Sequence, residues 1–186
     1  ALRAADMTRT HRERLLKSGF IREVMKGWYV PSRPDEPAGE STSWYASFWP
    51  FCVAYLDSRF GKRWSVSPEQ SVSLHTGNWT VPRQLLVRAP KGGNKPIGLI
   101  HDTSIFDVRL DMPPEADRTI LNGVRLYSLP AALLGCAQGL FESRPTELRA
   151  ALAMMRDPSE VLRCLLEGGH SRIAGRLAGA FRNIGR

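Results

Sequence analysis

The chain has 186 residues, 42% of them apolar, enough for one ordinary domain or a small domain joined to a medium one, which excludes global disorder. Its formal charge is +8, a balance that suits a polyanionic partner such as nucleic acid. No apolar run approaches the roughly 20 residues that span a bilayer, and no signal-peptide pattern opens the chain, so a membrane-spanning or secreted protein is not expected.

The positive charge is blocked. Residues 1–33 carry eight Lys and Arg against three acids, and Arg83, Arg88, Lys91 and Lys95 stand in 83–95 with no acid. Arg172, Arg176, Arg182 and Arg186 do the same from His170 onward. Residues 101–118 reverse the sign, with five acids against two arginines. The chain begins at Ala1 within sequence that already reads as structured, and its end lacks a helix-closing signal. Further residues are therefore expected on both sides.

Thr10-His-Arg-Glu13 reads as a capping box for a helix that stops at Ser18-Gly19. Phe20 to Val24 and Trp28 to Val30 read as strands joined by a turn at Lys26-Gly27. Helix, strand, glycine turn and strand make the second half of a winged helix. Of the helices that should precede it, at most a turn over Leu2 to Asp6 is present. On that reading Arg9, Arg12, Arg14 and Lys17 belong to a recognition helix in the major groove, and Arg22 and Lys26 to the wing. A solvated amphipathic helix on a small β-ribbon is the alternative.

Residues 34–42, within the proline-rich stretch from Pro31 to Thr42, read as a linker and as the domain boundary. Trp44, Phe48, Phe51 and Tyr55 then recur on one face of a helix over 43–59, with Pro50 expected to kink it. That spacing assigns Trp44 to a core rather than to base stacking. Ser67-Pro68-Glu69-Gln70 opens a second helix that ends near Gly77. Gln84 to Arg88 and Ser104 to Leu110 read as strands, with a flexible basic turn at Lys91-Gly92-Gly93-Asn94-Lys95 that lacks the spacing of a phosphate-binding loop. Leu121-Asn122-Gly123-Val124 carries a hairpin signal.

The remainder reads as helices: Ser128 to about Phe141, Thr146 to Met155, one opened by Asp157-Pro158-Ser159-Glu160, and Arg172 to Asn183. Gly175 and Gly179, beside Ala174 and Ala178, form a small-residue stripe expected to pack on the helix that starts at Pro158. The arginines Arg172, Arg176, Arg182 and Arg186 are expected to face a partner.

Catalytic groupings are sparse. His75 follows Glu69, Ser67 and Ser71 on one short helix, where capping already explains Ser67, and His101-Asp102 has no third partner. No His, Cys and Asp grouping has metal-ligand spacing, so neither a cofactor nor a metal is expected, and the chain reads as non-enzymatic. Cys52, Cys136 and Cys164 are odd in number and far apart, which reads as buried thiols in a reducing, cytoplasmic setting.

Several segments together resemble the AbiEi family of type IV toxin–antitoxin antitoxins. They are Gly19-Phe20-Ile21 with Met25-Lys-Gly-Trp-Tyr-Val30, Trp64 through His75, Val81 through Arg88, Asn122 through Ala131, and Gly168 through Ala178. The segment from Lys26 to Gly61 also looks like an N-terminal extension of some long Fic-family proteins, although the chain lacks the HPFxxGN motif of the Fic domain itself. The resemblance implies binding to operator DNA, autoregulation of transcription and restraint of a cognate toxin. The alternative is a protein-interaction module, fused to or partnering a toxin of the Fic type, without DNA binding. The expected architecture is α+β: an incomplete winged-helix segment over 1–33, a linker over 34–42, and a mixed antitoxin-like domain of helices around a small sheet over 43–186.

Overall fold

The structure, a computed structural model, describes residues 1–37, 39–168, 171–183 and 185, with the backbone alone at 158, 168, 171 and 172. In chain order the elements are β1 (Leu2–Arg3), α1 (Arg9–Lys17), β2 (Ile21–Met25), β3 (Trp28–Pro31), α2 (Thr42–Phe60), β4 (Ser65–Val66) and α3 (Pro68–His75). Next come β5 (Gln84–Ala89), β6 (Pro96–Gly98), β7 (Ser104–Arg109), β8 (Arg118–Leu121) and β9 (Val124–Tyr127). Five helices close the chain: α4 (Leu129–Gly135), α5 (Gln138–Ser143), α6 (Pro145–Met154), α7 (Pro158–Gly168) and α8 (Ser171–Asn183). The class is α+β, as the composition and periodicity indicate.

The chain divides into two compact units, one of Ala1–Trp64 with Val81–Asp111 and one of Ser65–Thr80 with Met112–Arg186. The boundary expected at 34–42 therefore falls inside the first unit. The reason is aromatic packing on both sides of that stretch. Trp28 of β3 meets Phe51 and Tyr55 of α2 edge to face, with ring centroids 5.9 and 5.5 Å apart. A proline-rich stretch ends elements, but it separates domains only where no such contacts span it.

In the first unit β1, β3 and β2 form one antiparallel sheet in that order. β5 runs parallel to β7, and β6 lies antiparallel on the other side of β7. α2 supplies much of this core: Trp44, Phe48, Phe51, Cys52, Tyr55 and Leu56 are all buried, on the face that the spacing of aromatics indicates. The Trp44 indole donates to Thr103 Oγ1 at 3.1 Å, so its polar edge is satisfied on burial. The helix continues past Pro50, which is exposed.

In the second unit Ser67 caps α3, its Oγ accepting from the Gln70 amide at 3.2 Å. The hairpin of β8 and β9 turns on Asn122 and Gly123, both at positive φ, which is the geometry an Asn-Gly pair supplies. α4, α6, α7 and α8 share one apolar core with Val72 and Tyr127, centred on Leu133, Leu148, Leu152, Cys164 and Leu177. The single helix expected from Ser128 to Phe141 is two. The backbone is extended at Cys136 and Ala137, and the Ala137 amide donates to Glu69 Oε1 at 3.2 Å.

Candidate nucleic-acid interface

α1 starts two residues earlier than the capping pattern indicates. Thr8, not Thr10, is the cap, its Oγ1 accepting from the His11 amide at 3.3 Å. Glu13 is drawn instead to Arg9, whose Nε donates to its carboxylate at 2.7 Å. That hydrogen bond, with the arginine charge, holds the Glu13 carboxyl below its ordinary value. Arg9 is thus partly neutralised by its own helix.

α1 buries no side chain. Arg12 and Leu15 are half-buried, whereas Arg9, Arg14 and Lys17 are exposed. At 3.6 residues per turn these three fall within roughly 140° of arc, a face of net positive charge that also holds Glu13. The residues that should read DNA by helical position therefore split into an exposed set and Arg12, which lies on the inner side.

The turn between β2 and β3 is closed at two points. The Gly27 amide donates to Glu23 Oε1 at 3.1 Å, and the Gly27 carbonyl accepts from Ala4 at 2.8 Å. Lys26 stands exposed at its tip. Arg22 does not join it. Its guanidinium donates to the Glu40 carbonyl at 3.1 Å, lies 3.3 Å from His101 Nε2, and stands 3.8 Å from the Glu36 carboxylate. Arg22 is a brace for the 36–40 stretch, not a wing cation. The Ser43 hydrogen bonds, with the Arg22 charge added, hold the Glu36 carboxyl below its ordinary value.

The basic C-terminal helix departs further from expectation. Arg186 and the Arg172 side chain lie outside the described residues. Arg176 Nη2 donates to the Cys136 carbonyl at 3.2 Å, and its guanidinium lies 4.9 Å from the centre of the Phe141 ring. This arginine is a packing group. Arg182 is exposed. Gly175 and Gly179 do not pack on α7: they are exposed, and a Cβ built on either meets nothing within 4 Å. They line an open groove of about 370 Å³ with Phe141, Pro145, Leu148 and Arg149. Of the four arginines, Arg176 packs internally and Arg182 stays exposed, while the glycines border open space rather than α7.

The polar residues around His75 are each engaged in structure. His75 Nε2 lies 2.8 Å from the Tyr127 carbonyl, which only accepts, so Nε2 carries the proton. Ser71 Oγ donates to the Ser67 carbonyl at 2.8 Å and accepts from the Tyr127 amide at 3.2 Å. His101 and Asp102 both take positive φ in the turn before β7. Among the described residues no group of three His, Cys, Asp or Glu side chains is placed to hold a metal ion. Cys52, Cys136 and Cys164 are free and buried.

Comparison with protein-family models, curated proteins and solved structures finds no match to this chain. No described helix is long and apolar enough to cross a membrane.

Proposed function

We propose that the chain is a DNA-binding regulator of the antitoxin type, which autoregulates its operon and restrains a toxin. One observation carries the reading. α1 lies in sequence between β1 and β2 of the β1-β3-β2 sheet, buries no side chain, and exposes Arg9, Arg14 and Lys17 to solvent. A helix that follows one strand of a small sheet and precedes a hairpin is the arrangement in which a winged helix offers its recognition helix. A helix that buries nothing is stabilised little by the core, so its cationic face is free for another surface. Lys26 at the hairpin tip would add a backbone contact.

Retention of duplex DNA, followed by fluorescence anisotropy across a salt series, tests the reading. Binding should fall steeply with salt, by a slope of about 0.9 per phosphate contact. The triple replacement of Arg14, Lys17 and Lys26 by Ala should flatten that slope, whereas Arg22→Ala should lower stability and leave it unchanged. Absence of retention at low salt rejects the DNA reading. A second reading, a partner-binding module of the toxin-associated kind without DNA binding, is favoured by the open groove along α6 and α8. It predicts that same absence of retention.

A further inference from the structure

A second cationic feature lies in the first unit, built from the last turn of α2, Arg63 just beyond it, and the loop between β5 and β6. Arg59, Phe60, Arg63, Pro90 and Lys91 line a cavity of about 180 Å³. Arg59 is held in place on two sides. Its Nη1 donates to the Tyr55 hydroxyl at 2.8 Å, and its Nη2 stands 2.8 Å from the carboxylate of Asp107, which is 1% exposed. The guanidinium also lies 5.0 Å from the centre of the Phe60 ring.

The loop expected as a flexible basic turn is anchored to β7 at several points. Gly92 is buried against β7, where a Cβ would stand 2.6 Å from the Val108 carbonyl carbon. Only glycine fits so close a backbone approach. Arg109 Nε donates to the Gly92 carbonyl at 3.0 Å. Asn94 clamps the far end: its amide donates to the Asp107 carbonyl at 2.9 Å, and its Oδ1 accepts from the Arg109 amide at 2.7 Å. Lys91 thus projects from a pinned backbone, and little ordering of the loop remains to be done on binding.

Among the described residues three cations and no carboxylate line the cavity, and the Asp107 carboxylate behind Arg59 is already matched by it. Arg63 and Lys91 are exposed and have no acidic partner among the described residues. Like charges held together at one cavity raise each other's energy, and an anion placed between them relieves it. The volume lies below the roughly 300 Å³ of sites that enclose drug-sized ligands, which suits a small ligand, and the charge of the lining makes that ligand an anion. Arg supplies a planar fork and Lys a point charge, the two donor types that hold phosphate oxygens.

We propose that this cavity binds a phosphate group, free or as the ester of a small molecule, through Arg59, Arg63 and Lys91. The site is independent of the α1 surface. The experiment is a titration of the full chain, followed by amide NMR, with sodium phosphate and separately with glycerol phosphate. Ionic strength is held constant with sodium chloride. Saturable shifts at Lys91, Gly92, Gly93 and Arg63 are expected, with half-saturation at least tenfold higher in the double variant Arg63→Ala, Lys91→Ala. Both positions are exposed, so the variant should fold, and Lys91→Ala alone should show an intermediate loss. Lys26→Ala should leave the titration unchanged. Saturation by both ligands assigns a general phosphate site, and saturation by inorganic phosphate alone assigns the free ion. Shifts that also appear with chloride alone, or a titration unchanged in the double variant, overturn the proposal.

Discussion

α1 and α8 are both basic helices with few acids, and in sequence they invite the same reading. The structure separates them. α1 buries no side chain and exposes Arg9, Arg14 and Lys17, while α8 buries Leu177 and turns Arg176 onto Phe141 and the Cys136 carbonyl. The apolar stripe decides between the two outcomes. Ile173, Leu177, Ala180 and Phe181 form one face of α8 and all reach the core cluster. An arginine flanking such a stripe lays its stem along it and finds a polar atom at the edge. α1 has only Leu15 and Leu16 to offer, and Leu16 is 38% exposed. Charge patterns locate cations; neighbouring apolar residues determine whether those cations remain free.

The largest test of this contrast is a pair of leucine truncations. Leu177→Ala removes a side chain that is 2% exposed and should cost about 2–5 kcal/mol. Leu15→Ala removes a half-buried one and should cost roughly 1 kcal/mol. Urea denaturation at unchanged m-value checks both. Equal losses would make α1 a core element and remove the basis for its free cationic face. The arginines form the second pair. Arg176→Ala gives up a charged hydrogen bond and a ring contact and should cost about 1–3 kcal/mol. Arg14→Ala should stay within about 0.5 kcal/mol, as exposed sites away from such features do.

Local features were the legible ones. The aromatic face of α2, the Ser67 cap and the Asn122-Gly123 turn each rest on residues a few positions apart, and the structure has all three. What escaped depends on distant partners. Nothing near Arg22 in sequence indicates that Glu40 and His101 will capture it. The break at Cys136-Ala137 follows Gly135, but its position is fixed by remote partners. Glu69 takes the Ala137 amide, Arg176 donates to the Cys136 carbonyl, and Gly135 seats against Pro68, all remote in sequence. β1 and β4 have two residues each, too short for any periodicity to register. Of the expected interface, exposure of Arg9, Arg14, Lys17 and Lys26 was readable from the sparse apolar pattern of α1 and from the turn. The Arg59, Arg63 and Lys91 cavity was not, because α2 and the loop after β5 contribute to it from separate stretches.

A smaller effect, of opposite sign, comes from the glycines. In a helix interior Gly costs about 1 kcal/mol relative to Ala. A methyl group at either position on α8 meets open space. Gly175→Ala and Gly179→Ala should therefore each raise stability by up to about 1 kcal/mol, seen as a higher melting temperature. A loss of stability would show that the groove closes on these glycines and would return them to the packing role first expected.

The subtlest test uses Cys136, whose carbonyl Arg176 holds. Burial, with a smaller contribution from the Glu69 charge, pushes its thiol up to about 12 from an ordinary value near 9, and the Arg176 charge opposes that rise. The folded protein thus prefers the neutral thiol. Below about pH 9 the thiol is protonated in both folded and unfolded chains, and its full contribution to stability is present. Between about 9 and 12 the unfolded chain ionises first, so that contribution is lost as pH rises. The difference in denaturation midpoint between the wild-type chain and Cys136→Ala should be constant from pH 8 to about 9 and should then shift against the wild type up to pH 11. In an Arg176→Ala background the opposing charge is gone, so the folded thiol should ionise at still higher pH. An unchanged ionisation in that background would mean that Arg176 is too solvated to sense the thiol, and its internal role would then rest on the Cys136 carbonyl and the Phe141 ring.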